Sequence, residues 1–295
     1  MGVALADASA AAREVFEEVD EAIGQHLFRL MTDGPADELT LTENAQPAIM
    51  ANAVATLRVL EHEGGVLLSE KATFVAGHSL GEYSALCAAG ALDLATTARL
   101  LKLRGQAMQS AVPVGVGGMA ALLGATLEQA QAVAEAAAEG EVCTVANDNA
   151  TGQVVLSGHA GAIGRAIARC KEFGVKAGMA LPVSAPFHCP LMAPAAEAMA
   201  TALAGARIEA PFVPVIANVT AALESDPSEI RARLVEQVTG MVRWRESLLA
   251  MEAAGVAQFV ELGAKVLSPM VKRTVKAEPV SVVKMADIEG FARGM

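Results

Sequence analysis

The sequence has 295 residues, of which 53% are hydrophobic and 3% aromatic, and a formal net charge of −11. This length and apolar content suit one large domain, or a large domain with a smaller one. The acidic balance argues against a nucleic-acid surface.

The cysteines are Cys87, Cys143, Cys170 and Cys189. They form no C-x-x-C pair, which favours reduced thiols in a cytoplasmic protein. We expect neither a signal peptide nor a membrane span.

Two helical stretches precede the first predicted strand. Apolar residues at spacings of three and four predict helices over 8–31 and 43–61. The short apolar run 72–76 predicts a buried strand, and 82–89 predicts a helix that Gly90 ends.

The pentapeptide Gly77-His78-Ser79-Leu80-Gly81 lies between that strand and that helix. A Gly-x-Ser-x-Gly motif in this context indicates the nucleophile elbow of a serine enzyme. The two glycines are expected where a Cβ would obstruct the turn, and the helix N-terminus faces any charge that develops beside the serine. Chance occurrence is the alternative in a chain with 26 glycines, and the flanking elements favour the nucleophile.

The next predicted helix, 93–109, carries a cation on its apolar face, and Asp93 is its predicted N-cap. Arg99 projects from the wet face, whereas Arg104 falls among leucine and methionine residues. A guanidinium turned toward a core is costly unless an anion meets it. A planar donor fork suits a substrate with a free carboxylate. The alternatives are a side chain that reaches solvent, or one that pairs with a structural carboxylate.

Residues 112–185 are predicted to form a small inserted unit, with a turn cluster at 147–152. Its elements alternate as βαββαβ, the ferredoxin-like arrangement. The segments 1–111 and 186–295 are predicted to form the large unit. Its later elements are a helix over 191–204, a strand over 213–219, a helix that starts at Asp226-Pro227, and a last strand over 258–262.

A serine nucleophile needs a base, and His188 is the predicted base by elimination among the five histidines. It lies between Pro186 and Pro190, in a stiff loop where the small unit returns to the large one. His78 belongs to the elbow itself and is expected to point away. No acid is evident as a third member, although Gln237 could orient the imidazole through its carbonyl.

Several segments of the chain resemble the bacterial malonyl-CoA:acyl-carrier-protein transacylases, and the similarity spans essentially the whole chain. The elbow decapeptide is specific to their acyltransferase superfamily. The segments that carry the resemblance are 77–86, 103–109, 182–188 and 237–244. The resemblance implies an α/β fold, with an α/β-hydrolase-like large subdomain and a ferredoxin-like small one.

The resemblance also implies an activity and its partners. The enzyme would transfer malonate from malonyl-CoA to the phosphopantetheine thiol of acyl carrier protein for fatty acid synthesis. It would do so without a cofactor or metal, as a cytoplasmic monomer that binds neither nucleic acid nor membrane.

The roles that the resemblance implies fall on five residues. The nucleophile is Ser79, the general base and acid is His188, the residue whose carbonyl steadies the histidine is Gln237, the partner of the malonyl carboxylate is Arg104, and an oxyanion donor is the Leu80 N–H. We also predict that His78 belongs to the substrate-binding set.

One departure from the family pattern concerns the N-terminus. The family begins with a strand and a Gly-Gln-Gly-Ser-Gln turn ahead of the region that Met1 opens, and this sequence has neither. The last glutamine of that turn gives a second oxyanion contact, and removing one such donor costs about 10²–10³ in turnover. We expect that the natural protein is longer, because the other site residues are intact. The alternative is an impaired form that only binds coenzyme A or carrier protein.

A serine hydrolase or thioesterase is the other alternative. It would need an acid between nucleophile and histidine in chain order, and Asp148 is the candidate.

Overall fold

The computed structural model describes residues 1–294, and its elements are numbered along the chain. The helices are α1 Val3–Ala8, α2 Ala10–Ile23, α3 Leu27–Asp33, α4 Ala36–Thr40, α5 Thr42–His62, α6 Leu68–Lys71, α7 Leu80–Ala88, α8 Leu94–Ser110, α9 Leu127–Ala138, α10 Ala160–Arg169, α11 Ala193–Gly205, α12 Pro227–Thr239, α13 Trp244–Ala253, α14 Ser268–Thr274 and α15 Met285–Gly294. The strands are β1 Val75–Ala76, β2 Gly117–Leu123, β3 Cys143–Ala150, β4 Gln153–His159, β5 Ala177–Ala180, β6 Val215–Ile216, β7 Leu223–Glu224, β8 Val260–Leu262 and β9 Val280–Val282.

The larger part of the protein is mainly helical around short strands. β1 pairs in parallel with β6, β6 pairs antiparallel with β7, and β8 pairs in parallel with β9. Helices α2, α5 and α8 pack on one another over a common apolar core. At Gly105 the backbones of α8 and α5 come so close that an added Cβ would lie 2.4 Å from the Cα of Glu43. This contact fixes which face of α8 turns inward.

The smaller part is a four-stranded antiparallel sheet with the strand order β3-β4-β2-β5. With α9 and α10 it gives the βαββαβ arrangement, which confirms the ferredoxin-like prediction. Alternate residues of β2 face opposite sides. Ala120 and Leu122 pack in the core beneath α9 and α10, whereas Met119 and Ala121 pack in a second cluster with Phe187. The sheet therefore supports the loop that carries His188, and we propose 112–185 as the inserted unit.

Several predicted boundaries are wrong for identifiable reasons. The stretch 8–31 is two helices, because Gly24 adopts a left-handed φ of 62° and ends α2. The turn cluster at 147–152 is mostly strand, since β3 pairs with β4 as far as Ala150 and Asn147 forms a bridge with Val242. Within this segment the turn consists of Thr151 and Gly152.

The predictions at 72–76 and 213–219 are too long, because only the two-residue strands β1 and β6 pair there. The predicted last strand is followed by another, β9, which pairs with β8. No helix within residues 1–294 has the length and apolar character needed to cross a bilayer.

Gly105→Ala is expected to destabilise the protein, because the added methyl group would push α8 away from the backbone of α5. Overpacking of this kind costs about 1–3 kcal/mol in the free energy of unfolding. Chemical denaturation measures the loss. The matched control is Gly164→Ala on α10, where a Cβ meets nothing within 4 Å and helix propensity favours alanine by about 1 kcal/mol. Equal stability of the two variants would contradict the close contact.

Candidate active site

Ser79 occupies a sharp turn between β1 and α7. Its backbone has φ 54° and ψ −111°, a conformation that non-glycine residues rarely adopt and that is typical of functional sites. A Cβ added at Gly77 would lie 1.9 Å from the carbonyl oxygen of Gly81, whereas a Cβ at Gly81 would meet nothing within 4 Å. The turn therefore requires glycine at position 77, as the sequence predicts. The same expectation is wrong for Gly81, where a Cβ would not obstruct the turn.

Asn218, just beyond β6, closes the turn from outside. Its Oδ1 accepts a hydrogen bond from the Ser79 N–H at 2.7 Å, and its Nδ2 donates to the Gly77 carbonyl at 2.8 Å. The next N–H, that of Leu80, donates to no acceptor within residues 1–294. It stands at the N-terminus of α7, where a donor can meet the charge of a developing oxyanion.

His188 contacts the Ser79 hydroxyl, with 2.8 Å between Nε2 and Oγ. Its Nδ1 lies 2.8 Å from the backbone carbonyl of Gln237. Because a carbonyl only accepts, Nδ1 carries the proton and Nε2 is free to accept the one on Ser79. Burial and the nearby charge of Arg104 lower the pKa of His188 to about 3. The imidazole is therefore neutral at neutral pH and prepared to act as a base.

Arg104 lies in the same cluster and is 1% exposed. Its Nη2 donates to Ser79 Oγ at 3.1 Å and to Gln237 Oε1 at 2.8 Å, and its Nη1 donates to Gln46 Oε1 at 2.7 Å. Its Nε has no partner among the described residues. All of these acceptors are neutral, so the guanidinium is held by hydrogen bonds without an ion pair. Burial lowers its pKa, as expected for a desolvated cation.

Glu82 joins the cluster from the first turn of α7. Its Oε2 accepts from Gln237 Nε2 at 2.7 Å and from the Asn218 N–H at 3.1 Å. Burial raises its pKa to about 7. The sequence analysis anticipated neither Glu82, Asn218 nor Gln46. For Glu82, the signal was an acid directly after the elbow within an otherwise uncharged helix. Asn218 and Gln46 offered no such signal.

Two other candidates lie apart from this cluster. His78 points its Nε2 at Asn149 Oδ1, 2.8 Å away, and its ring packs edge-on against Trp244. Its place in the substrate-binding set stays a prediction. Asp148 forms an ion pair with Arg245 at 2.9 Å, and the imidazole it would have to orient is held by a backbone carbonyl instead.

The cluster combines a hydroxyl, a neutral imidazole, an N–H donor and a buried cation. These groups suit acyl transfer through a covalent ester, with the cation beside the acyl group. Within residues 1–294, no group of three His, Cys, Asp or Glu side chains is arranged to hold a metal ion.

Comparison with known proteins agrees with the chemistry of acyl transfer, because the pattern of the acyl transferase domain matches residues 1–289.

The chain belongs to the acyl transferase domain family.

Several proteins and solved structures that are similar to this chain are named for malonyl transfer. The malonyl CoA-acyl carrier protein transacylase of Escherichia coli K12 is 44% identical over 263 residues, which are 89% of this chain and 84% of that protein. The acyl-carrier-protein-S-malonyltransferase of Bartonella henselae superposes with a TM-score of 0.96 at 49% identity, covering 100% of this chain and 94% of that one.

A third likeness is to a malonyl-transacylase solved in complex with a type II polyketide acyl-carrier protein. Its TM-score is 0.96 at 37% identity, with coverage of 100% of this chain and 95% of that one. These likenesses confirm the predicted fold class of this acyltransferase.

The lowered pKa of His188 predicts an unusual pH dependence for acylation of Ser79. A base with the ordinary pKa of about 6.5 would be about 97% protonated at pH 5, so its rate would fall about 25-fold from pH 7. We expect less than a twofold fall in kcat/KM over that range, because His188 stays neutral. Rapid-quench mass spectrometry of the acyl-enzyme measures it. A midpoint near pH 6.5 would contradict the buried, charge-depressed imidazole.

Proposed function

We propose that this acyltransferase moves the malonyl group from malonyl-CoA to the phosphopantetheine thiol of acyl carrier protein, through an ester on Ser79. The observation that carries the proposal is Arg104, a buried cation that touches the nucleophile and whose hydrogen-bond partners in the described part of the chain are all neutral. Malonyl is an acyl group that brings its own carboxylate to such a cation. The malonyl-transferring relatives support the same substrate.

In the first half-reaction, Ser79 gives its proton to His188 Nε2 while its Oγ attacks the thioester carbonyl. The Leu80 N–H donates to the oxyanion that forms. The C–S bond then breaks, and the coenzyme A sulfur takes the proton from His188. In the second half, the phosphopantetheine thiol gives its proton to His188 and attacks the ester. The C–O bond breaks, and Ser79 recovers the proton.

Arg104 has two effects in this scheme. It holds the malonyl carboxylate, and it depresses the pKa of His188 while it is unpaired. A carboxylate bound to Arg104 neutralises part of that charge, so the imidazole becomes a stronger base once malonyl occupies the site. Malonyl is thereby favoured over acetyl in the chemical step as well as in binding.

A hydrolase of the Ser-His-Asp type is not favoured. Gln237 supplies the carbonyl that fixes the imidazole, and Asp148 is engaged by Arg245. We further propose that the enzyme needs no cofactor and works in the cytoplasm, where its four free, buried cysteines would stay reduced. A monomeric state stays a prediction.

The decisive experiment follows the mass of the intact protein during incubation with malonyl-CoA. One malonyl group should appear on the protein and be absent from Ser79→Ala. Holo acyl carrier protein, added next, should remove it and become malonylated. Release of free malonate at the same rate without the carrier would indicate a hydrolase, and absence of any ester would leave only a binding protein.

Arg104→Ala is expected to lower kcat/KM for malonyl-CoA by at least about 100-fold. The charge-assisted contact is worth about 1.5–3 kcal/mol, and its loss also leaves the buried malonyl carboxylate without a partner. The rate with acetyl-CoA should fall far less. The matched control is Arg99→Ala, on the exposed face of the same helix, which should leave both rates unchanged. If Arg104→Ala used the two substrates in the parent's ratio, the carboxylate role would be wrong.

A further inference from the structure

The buried carboxylate of Glu82 lies one amide away from the guanidinium of Arg104. Gln237 bridges them: its Nε2 donates to Glu82 Oε2 at 2.7 Å, and its Oε1 accepts from Arg104 Nη2 at 2.8 Å. Glu82 is 3% exposed, Gln237 0% and Arg104 1%. The two charges therefore balance across a neutral amide, and the guanidinium remains open to a second anion.

The charge balance changes when an acyl carboxylate arrives. An ionised Glu82 and Arg104 sum to zero in the empty site. A carboxylate on Arg104 adds one negative charge in buried surroundings, where like charges repel strongly. Protonation of Glu82 restores neutrality, and its hydrogen-bond geometry allows this at one oxygen, since among residues 1–294 donors engage Oε2 alone.

We propose that Glu82 takes up a proton from solvent when the malonyl carboxylate binds Arg104, so that affinity for malonyl-CoA falls as the pH rises. Glu82 is then a positioning residue, which acts on the substrate through Gln237 and Arg104. The inference rests on the proposed function, because it assumes that the acyl group carries a carboxylate.

The neighbouring groups place this exchange in the neutral range. Burial is the main cause that raises the pKa of Glu82 to about 7; Arg104 from α8 lowers it and Glu224 from β7 raises it. The adjacent Tyr83 has a raised pKa and stays neutral. His188, which shares Gln237, has a pKa of about 3 and is neutral as well. Above pH 7 an ionised Glu82 repels the incoming anion, and below it the repulsion is absent.

Calorimetry measures the proton directly. Malonyl-CoA and coenzyme A are titrated into Ser79→Ala, which blocks transfer, in buffers with different ionisation enthalpies. At pH 7 malonyl-CoA should take up about half a proton more than coenzyme A, since about half of the Glu82 side chains are ionised there. The difference in proton uptake should vanish in the double variant that combines Ser79→Ala with Glu82→Gln. It should persist in the double variant that combines Ser79→Ala with Glu224→Gln. Equal proton uptake for the two ligands would overturn the proposal.

Steady-state kinetics gives a second readout. Between pH 6.5 and 8 the KM for malonyl-CoA of the parent should rise by up to about eightfold relative to that of Glu82→Gln, which keeps the acceptor oxygen without the charge. Parallel profiles would overturn the inference. The calorimetric comparison needs no change at Glu82, so it holds even if that variant folds poorly. Malonyl binding without proton uptake refutes only this inference, whereas absence of a malonyl ester on Ser79 refutes the proposed function.

Discussion

The structure of the site depends on one buried cation. Arg104 lies inside the protein, where an unbalanced charge is costly, and its partners there are the neutral oxygens of Ser79, Gln46 and Gln237. An arginine that already formed a direct ion pair with a carboxylate of the protein would not attract an anionic acyl group. Indirect compensation by Glu82 keeps the cation stable in the core and leaves its charge for the substrate.

Several distant segments of the chain meet around that cation, and each is fixed by a specific contact. Gly105 sets the face of α8 against α5, Asn218 holds the elbow turn, and Gln237 joins Glu82, Arg104 and the imidazole. Both reactive residues, Ser79 and His188, have positive φ values of 54° and 56°. Such backbones persist only where the surroundings over-determine them, which these contacts do.

The sequence predicted most of the chemistry and less of the network behind it. The elbow was predictable because strand, glycine turn and helix are all local, and Arg104 because helical periodicity placed a cation on an apolar face. His188 followed from elimination among the histidines and from its place in a loop between two prolines. Asn218, Gln46 and Glu82 escaped notice, since their roles come from hydrogen bonds between residues up to 155 positions apart. The short strands β1 and β6 and the strand β9 were misjudged because their extent depends on pairing partners, which local patterns do not reveal.

A crystal structure of the malonyl-Ser79 ester tests the central claim most directly. We predict that both oxygens of the malonyl carboxylate lie within hydrogen-bond distance of the Arg104 guanidinium, with the contact between Arg104 and Ser79 Oγ replaced and the bridge from Gln237 to Glu82 retained. A malonyl carboxylate directed into solvent, with Arg104 still bound as in the free enzyme, would contradict the account.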